Sequence, residues 1–306
     1  MAHKPYKSAE LDSIRQKIDE LDTRIHDTLK ERAELVLKIG EEKRKNGIEI
    51  VQPAREAQMI RRLLSKHKGV LPEMAVVRIW RELVGAVSLL QTGLKVVVAD
   101  IEGHPEYWDL SKDYFGSCLP MQRVATPLAA IGAVRDGRAN FAVLPWPADQ
   151  DAKPWWDYLG TDTKDSIQMI VRLPHGDDPG EPNPDYRALV VAKAGFDESG
   201  DDRSFLLIDC EDSVSRARVV AKTQEVGLVP LSISTKHARD DDEEHKHLLE
   251  VEGYITQENP KVQQLQDFLG IDGIKINCVG GYPVPTQYSK TIRPQKDPIP
   301  SAPKPE

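Results

Sequence analysis

The sequence predicts a multidomain chain: an all-α N-terminal segment, then an α/β lobe, then an α+β unit ordered βαββαβ. Three observations predict it. Apolar residues recur every three or four positions from Leu11 to Ile39, strands alternate with helices after Leu94, and a strand-richer alternation begins near Ser204. At 306 residues the chain has room for two or three domains, each with its own core.

Leu11, Ile14, Ile18, Leu21, Ile25, Leu29, Leu35, Val36 and Ile39 mark one long amphipathic helix running to about Lys45, where Asn46-Gly47 ends it. Pro53 suits the first turn of a second helix, "PAREAQMIRRLLSKHKG", which stops at Gly69. Pro72 opens a third, "PEMAVVRIWRELVGAVSLLQT", closed by Gly93. Residues 11–92 are therefore three helices, after a flexible stretch at 1–10. From Leu94, "LKVVVADI" reads as a buried strand, "HPEYWDLSKDYFG" as a helix and "PLAAIGAVRDGRANFAVLPW" as helix, turn and strand, the pattern of a mostly parallel sheet. Further on, "SFLLIDC", "DSVSRARVVAKTQEVG", "LVPLSIST", "HLLEVEGYI", "NPKVQQLQDFLG" and "GIKINCVGGYP" spell strand, helix, strand, strand, helix, strand, a ferredoxin-like order. Residues 286–306 are rich in proline and charge and read as a disordered tail.

Composition excludes several classes. A net charge of −8 and a pI near 5.6 argue against a nucleic-acid or other polyanion binder. No apolar run reaches bilayer length and "MAHKPYKSAELDS" has no apolar leader core, so a membrane role is not expected and a cytoplasmic location is. Cys118, Cys210 and Cys278 lie far apart and suit reduced thiols, with no zinc-like spacing. The run "DDDEEHKH" at 240–247 reads as a solvated loop, and no metal or cofactor is expected. Trp146, Trp155, Trp156 and Tyr158 read as core or domain interface.

Against this acidic background, "ELVLKIGEEKRKNGIEIVQPAREAQMIRRL" is dense in cations. Arg32 and Lys43 are eleven residues apart, which returns them to within roughly 20° of one helix face at an axial separation of ~16 Å. Two long side chains at that spacing can converge on one small ligand. Arg15 lies ~25 Å from Arg32 and ~40 Å from Lys43 along the same rod. It can share a small ligand with Lys43 only across a dimer. Most single cations on such a helix are solvated, and Arg44, Lys45, Arg61 and Arg62 are assigned to that class.

"LDSIRQKIDELDTRIHDTLKERAELVLKIGEEK", "PAREAQMI" and "IWRELVGAVSLLQ" resemble the all-helical chorismate mutase family, in which three helices from each of two chains interlock. The resemblance covers residues 11–92. It implies that Arg15 of a partner chain and Arg32 clamp carboxylates, that Arg55 positions substrate, that Lys43 and Gln91 aim donors at the ether oxygen, and that Glu56 holds the ring hydroxyl. Gln52 stands where the family often has a carboxylate, and Val87 where serine is frequent. The implied reaction, chorismate to prephenate, breaks a C–O bond while making a C–C bond and requires no nucleophile, metal or cofactor. It requires a compact substrate conformer and donors where charge develops.

The order of segments after Gly93 resembles bifunctional chorismate mutase–prephenate dehydratases, in which a two-lobed dehydratase domain precedes an ACT regulatory domain. On that resemblance, 94–185 is a truncated dehydratase-like lobe and 186–285 an ACT-like domain that either binds an amino-acid effector or strengthens the dimer. The dehydratase Thr-Arg-Phe motif is missing: the corresponding region reads "NPDYRALVVAK". "PWPADQD" and "IEGHPEYW" replace two further stretches, and most of a second lobe is absent, so no dehydratase activity is expected. "LSISTKH" stands in place of the family's Glu-Ser-Arg-Pro effector stretch. Competing readings are a working bifunctional enzyme, a lyase on the same helical frame that releases pyruvate from isochorismate, and a non-catalytic regulatory partner of the pathway.

Overall fold

The structure, a computed structural model, describes residues 9–47, 51–148, 153–159, 166–177, 186–210, 214–236, 245–270 and 273–288. The chain divides into two compact units, Met1–Val51 with Val87–Gly93, and Gln52–Ala86 with Leu94–Glu306.

In the first unit, α1 (Ala9–Lys45) runs unbroken for 37 residues, about 55 Å. Glu10 and Asp12 in its first turn and Lys43, Arg44 and Lys45 in its last oppose the helix dipole at both ends. Asn46 donates its side-chain amide to the Glu42 carbonyl (2.7 Å), and Gly47, at φ 65°, turns the chain out of the helix. Gly40 is its one buried residue among those described. Leu11, Ile14, Ile18, Leu21, Ile25, Leu35 and Ile39 are 37–57% exposed, an apolar stripe that the unit itself leaves open to solvent, while Leu37 lies exposed on another face. The remainder of this unit is the last turn and a half of α3 (Glu73–Thr92).

The second unit begins with α2 (Pro53–Lys66), which carries Pro53 where a helix has no amide partner to lose. It packs on the earlier part of α3 through Ile60 and Val77, with Met59, Leu63, Leu64, Met74 and Trp80 around them. Then come β1 (Val96–Ala99), α4 (Glu106–Phe115), β2 (Met121–Val124), α5 (Pro127–Arg135), β3 (Phe141–Pro145), a 3-10 turn (Trp155–Tyr158), β4 (Gln168–Leu173), β5 (Gly176–Asp177) and β6 (Ala188–Ala192). The chain ends its described course with β7 (Asp202–Cys210), α6 (Arg216–Glu225), β8 (Pro230–Lys236), β9 (His245–Glu252), α7 (Pro260–Leu269), β10 (Lys275–Pro283) and β11 (Thr286–Gln287). Thr126, Ser215 and Asn259 cap α5, α6 and α7 by accepting backbone amides.

Nine strands form one sheet in the order β2-β1-β3-β6-β4-β10-β7-β9-β8. β1 pairs parallel with β2 and β3, but β6 pairs antiparallel with both β3 and β4, so the expected mostly parallel sheet is instead mixed. β10, β7, β9 and β8 are antiparallel neighbours, and β10 joins the rest through a parallel pairing of Gly280 with Met169. The boundary expected at 186 falls just before β6, whose sheet partners are β3 and β4 rather than β7. Thr286, Gln287 and Tyr288, which the sequence places in a disordered tail, are ordered: the first two pair with β5 and Tyr288 is buried. Residues 1–8, expected to be flexible, and 289–306 lie outside the described residues.

One core lies across the whole sheet, from Val97 and Leu144 through Met169 and Leu189 to Phe205, Leu248 and Tyr282, with Trp155 and Trp156 buried in it. A second, formed by Leu206, Ile208, Leu249, Val219, Leu265 and Leu269 among others, lies under α6 and α7. Trp155 donates its indole N–H to the Pro145 carbonyl (3.0 Å), whereas Tyr158, placed by sequence with the buried aromatics, is 45% exposed. No described helix is long and apolar enough to cross a membrane.

The β4–β10 junction depends on Gly280. Its φ is +98°, and a Cβ there would run into the Met169 carbonyl oxygen. We predict that Gly280→Ala lowers unfolding free energy by at least about 2 kcal/mol, read from urea midpoints at unchanged slope.

Candidate active site

Arg32, Val36, Gly40 and Lys43 follow one another at spacings of four, four and three, so they share one stripe of α1. The end of α3 lies against that stripe. Gln91 donates its side-chain amide to the Val36 carbonyl at 2.6 Å. It reaches this close because position 40 has no side chain: a Cβ on Gly40 would stand 2.5 Å from Gln91 Nε2. Gly40 is thus what lets Gln91 lie against the stripe that also carries Arg32 and Lys43. The sequence reading passed over it, although an isolated glycine within an otherwise regular helix is a signal of close approach.

Arg32 and Lys43 are both partly buried, and loss of water around the Arg32 guanidinium pulls its pKa below the usual arginine value. Arg15 is placed otherwise. It is rotated by roughly 100° from Arg32 around the helix, its side chain is 65% exposed, and it makes a 3.5 Å contact with Asp12. Within one chain α1 does not bring it to Lys43.

Gln52, Arg55 and Glu56 belong to the second unit. Gln52 stands at the N-cap of α2 without a side-chain capping bond, and Arg55 is exposed. Glu56 is engaged. Its Oε2 accepts from Arg81 Nη1 at 2.6 Å, with the two side chains only 13% and 5% exposed, and the Tyr114 hydroxyl donates to the same oxygen at 3.5 Å. The Arg81 guanidinium lies 4.2 Å from the centre of the Tyr114 ring. Burial and then the Glu56 charge push the Tyr114 phenol up, so it stays protonated and able to donate. Arg81, which ties α3 to α2, was not singled out from the sequence.

Arg61 departs from its expected solvated role. Its guanidinium donates to the Ser199 carbonyl (3.0 Å) and hydroxyl (3.1 Å), the Asp201 carbonyl (2.8 Å) and the Val284 carbonyl (3.1 Å). It fixes the exposed side of α2 to the loop before β7 and the end of β10, which the spacing of α2 alone could not reveal.

Among the described residues no group of three or more His, Cys, Asp or Glu could hold a metal ion. Residues 240–244 of the acidic run lie outside them. His247 at the end of that run is buried, between the Thr235 hydroxyl (2.9 Å) and the Val214 carbonyl (2.8 Å).

The segment that carries this stripe has a match among known proteins. Residues 14–92 match the family model of chorismate mutase type II. That segment is similar to chorismate mutase type II domains. The chain is 31% identical over 140 residues to a bifunctional chorismate mutase/prephenate dehydratase of Aquifex aeolicus, and 29% identical over 145 residues to a protein of the same name from Pseudomonas aeruginosa. Each match covers 44% of this chain and 38% of the relative, so the chain spans well under half the length of these curated relatives. A solved prephenate dehydratase from Streptococcus mutans aligns with 64% of this chain and 98% of its own at 15% identity and a TM-score of 0.42, too slight a likeness to carry an argument.

We predict that Arg81→Met costs about 3–5 kcal/mol of stability, because it strands the Glu56 carboxylate in a largely dry site, and that Arg81→Met with Glu56→Leu recovers most of it. Chemical denaturation of the three proteins checks this.

Proposed function

We propose that the chain is a chorismate mutase that converts chorismate to prephenate in aromatic amino acid biosynthesis. The observation that carries the proposal is the seating of Gln91 on the Arg32–Lys43 stripe, made possible by Gly40, inside a segment that matches the chorismate mutase type II family. Lys43 and Gln91 supply donors to the ether oxygen as its bond to the ring stretches, and Arg32 holds a carboxylate by paired charge-assisted bonds. Arg55, Glu56 and Gln52 take the substrate-positioning roles that the resemblance gives them. In this chain Glu56 also holds Arg81, so its carboxylate is oriented before substrate arrives.

Arg15 acts in the pocket of a second copy. The apolar stripe of α1 favours this reading, since burying seven exposed Leu and Ile side chains against a partner helix offsets the loss of freedom on association. The C-terminal βαββαβ unit is an ACT-like domain that strengthens the dimer or takes an amino-acid effector, and the lobe before it is a truncated dehydratase-like remnant without activity. Prephenate incubated with the purified chain therefore yields no phenylpyruvate; phenylpyruvate formation at a rate matching chorismate loss would establish the bifunctional alternative instead.

Lys43→Ala is expected to cost about 3 kcal/mol or more of transition-state stabilisation in a chorismate-loss assay, with helicity unchanged. Gly40→Ala, which touches no substrate, lowers kcat by roughly tenfold or more by displacing Gln91. Turnover near wild type in both variants would refute the assignment. Mixing Arg15→Ala chains with Lys43→Ala chains restores part of the activity, since each mixed dimer has one intact composite pocket.

A further inference from the structure

Besides the Glu56–Arg81 contact, α2 has a second fixed point, and it is built on a buried carboxylate. Asp202, at the start of β7, is 4% exposed. Its Oδ2 accepts the backbone amides of Ser199 (2.8 Å) and Gly200 (3.1 Å), and Gly200, at φ +93°, makes the turn that closes the loop on it. The Ser199 hydroxyl has one proton to give. Asp202 Oδ1 lies 2.6 Å away and the Asp201 carbonyl 3.0 Å, so the charged and nearer acceptor takes it. The lone pairs that remain accept from Arg61 Nη1 at 3.1 Å. Carboxylate, hydroxyl and guanidinium thus form one chain in which each bond is charge-assisted. The closed loop also aims the Ser199 and Asp201 carbonyls at the same guanidinium, and one turn earlier on α2 the Gln58 amide approaches the Glu198 carbonyl at 3.5 Å.

We propose that Arg61, Ser199 and Asp202 are positioning residues for the substrate: they set the rotation of α2, and with it the direction in which Arg55 and Glu56 meet chorismate. The role rests on the function proposed above. Arg55, Gln58 and Arg61 follow at spacings of three along one row of α2, so a turn of the helix carries all of them. Glu56, five residues and ~7.5 Å before Arg61, is held by Arg81. A helix held at one point turns about it; held at two, its bearing is set before substrate arrives. That lowers the ordering cost of binding, so its loss shows in KM rather than in kcat. Lysine at 61 does not substitute, because an ammonium is a point charge and cannot span four acceptors as the planar fork does.

The test is chorismate kinetics and hydrogen–deuterium exchange of the full chain in Arg61→Lys, Ser199→Ala and a control, Arg62→Lys, at the exposed neighbouring position. Circular dichroism identifies the folded variants, and either of the first two decides the outcome. The expected result is a KM raised roughly threefold or more in Arg61→Lys and Ser199→Ala, with kcat within about twofold of wild type. Exchange of the α2 amides, Pro53–Lys66, quickens in the same two and not in Arg62→Lys. Quicker exchange at an unchanged KM would mean that the three residues only brace the fold, and would overturn the proposal. So would wild-type KM and exchange in a folded variant, or an equal change in Arg62→Lys. A wild-type chain that leaves chorismate intact sinks the function proposed above and this role with it; an unchanged KM in an active chain sinks this role alone.

Discussion

A helix of 37 residues that carries Ile and Leu along one side and buries only Gly40 has an uncovered apolar face as its governing constraint. Water next to such a stripe loses orientational freedom, and each large side chain left open forgoes about 1–2 kcal/mol of transfer free energy. The cations are distributed to suit a covered helix. Arg32 and Lys43 sit at the end where α3 closes on α1, partly desolvated, while Arg15 waits in solvent at the far end, on another face. A single copy presents Arg32 and Lys43 on one face and leaves an apolar stripe open. On the proposed reading, association with a second copy would supply Arg15 and cover that stripe in one step.

The second unit solves a different problem, that of holding α2 in place. It does so from both sides. Arg81 reaches from α3 to take the Glu56 carboxylate in a nearly dry contact, and Arg61 reaches out to three backbone carbonyls and a serine hydroxyl near β7 and β10. Four acceptors on one guanidinium leave that side chain little freedom, which is the use to which a rigid planar fork is best suited. The nine-stranded sheet whose strands β7 and β10 adjoin those acceptors is continuous because Gly280 lets β10 touch β4. Residues 94–288 are therefore more than an appendage: they contain the fixed points to which a helix bearing Arg55 and Glu56 is bolted.

Much of this was legible in the residues. The three helices and the βαββαβ order follow from periodicity and from turn residues such as Asn46-Gly47, Pro53 and Gly93, and the α1 spacing alone put Arg32 and Lys43 on one face. Three things escaped. β2 reads "MQRV", too polar and too short for a buried-strand pattern, and is made a strand by its pairing with β1. β4 and β6 are apolar enough, yet their antiparallel insertion beside β3 is a matter of tertiary pairing that local sequence does not encode. Arg61 and Arg81 look like ordinary helix-surface cations, because what distinguishes them is a partner between 25 and 223 positions away. Gly40 did carry a local signal, an isolated glycine in a long helix, and only its meaning required the structure.

On the proposed reading, one working pocket needs two chains. Chorismate turnover per chain, followed while the purified protein is diluted through its own dimer dissociation as tracked by sedimentation, tests it most directly. Turnover per chain is expected to fall in step with the dimer fraction and to vanish with it. Undiminished turnover by a fully monomeric chain would show that a pocket is complete within one copy.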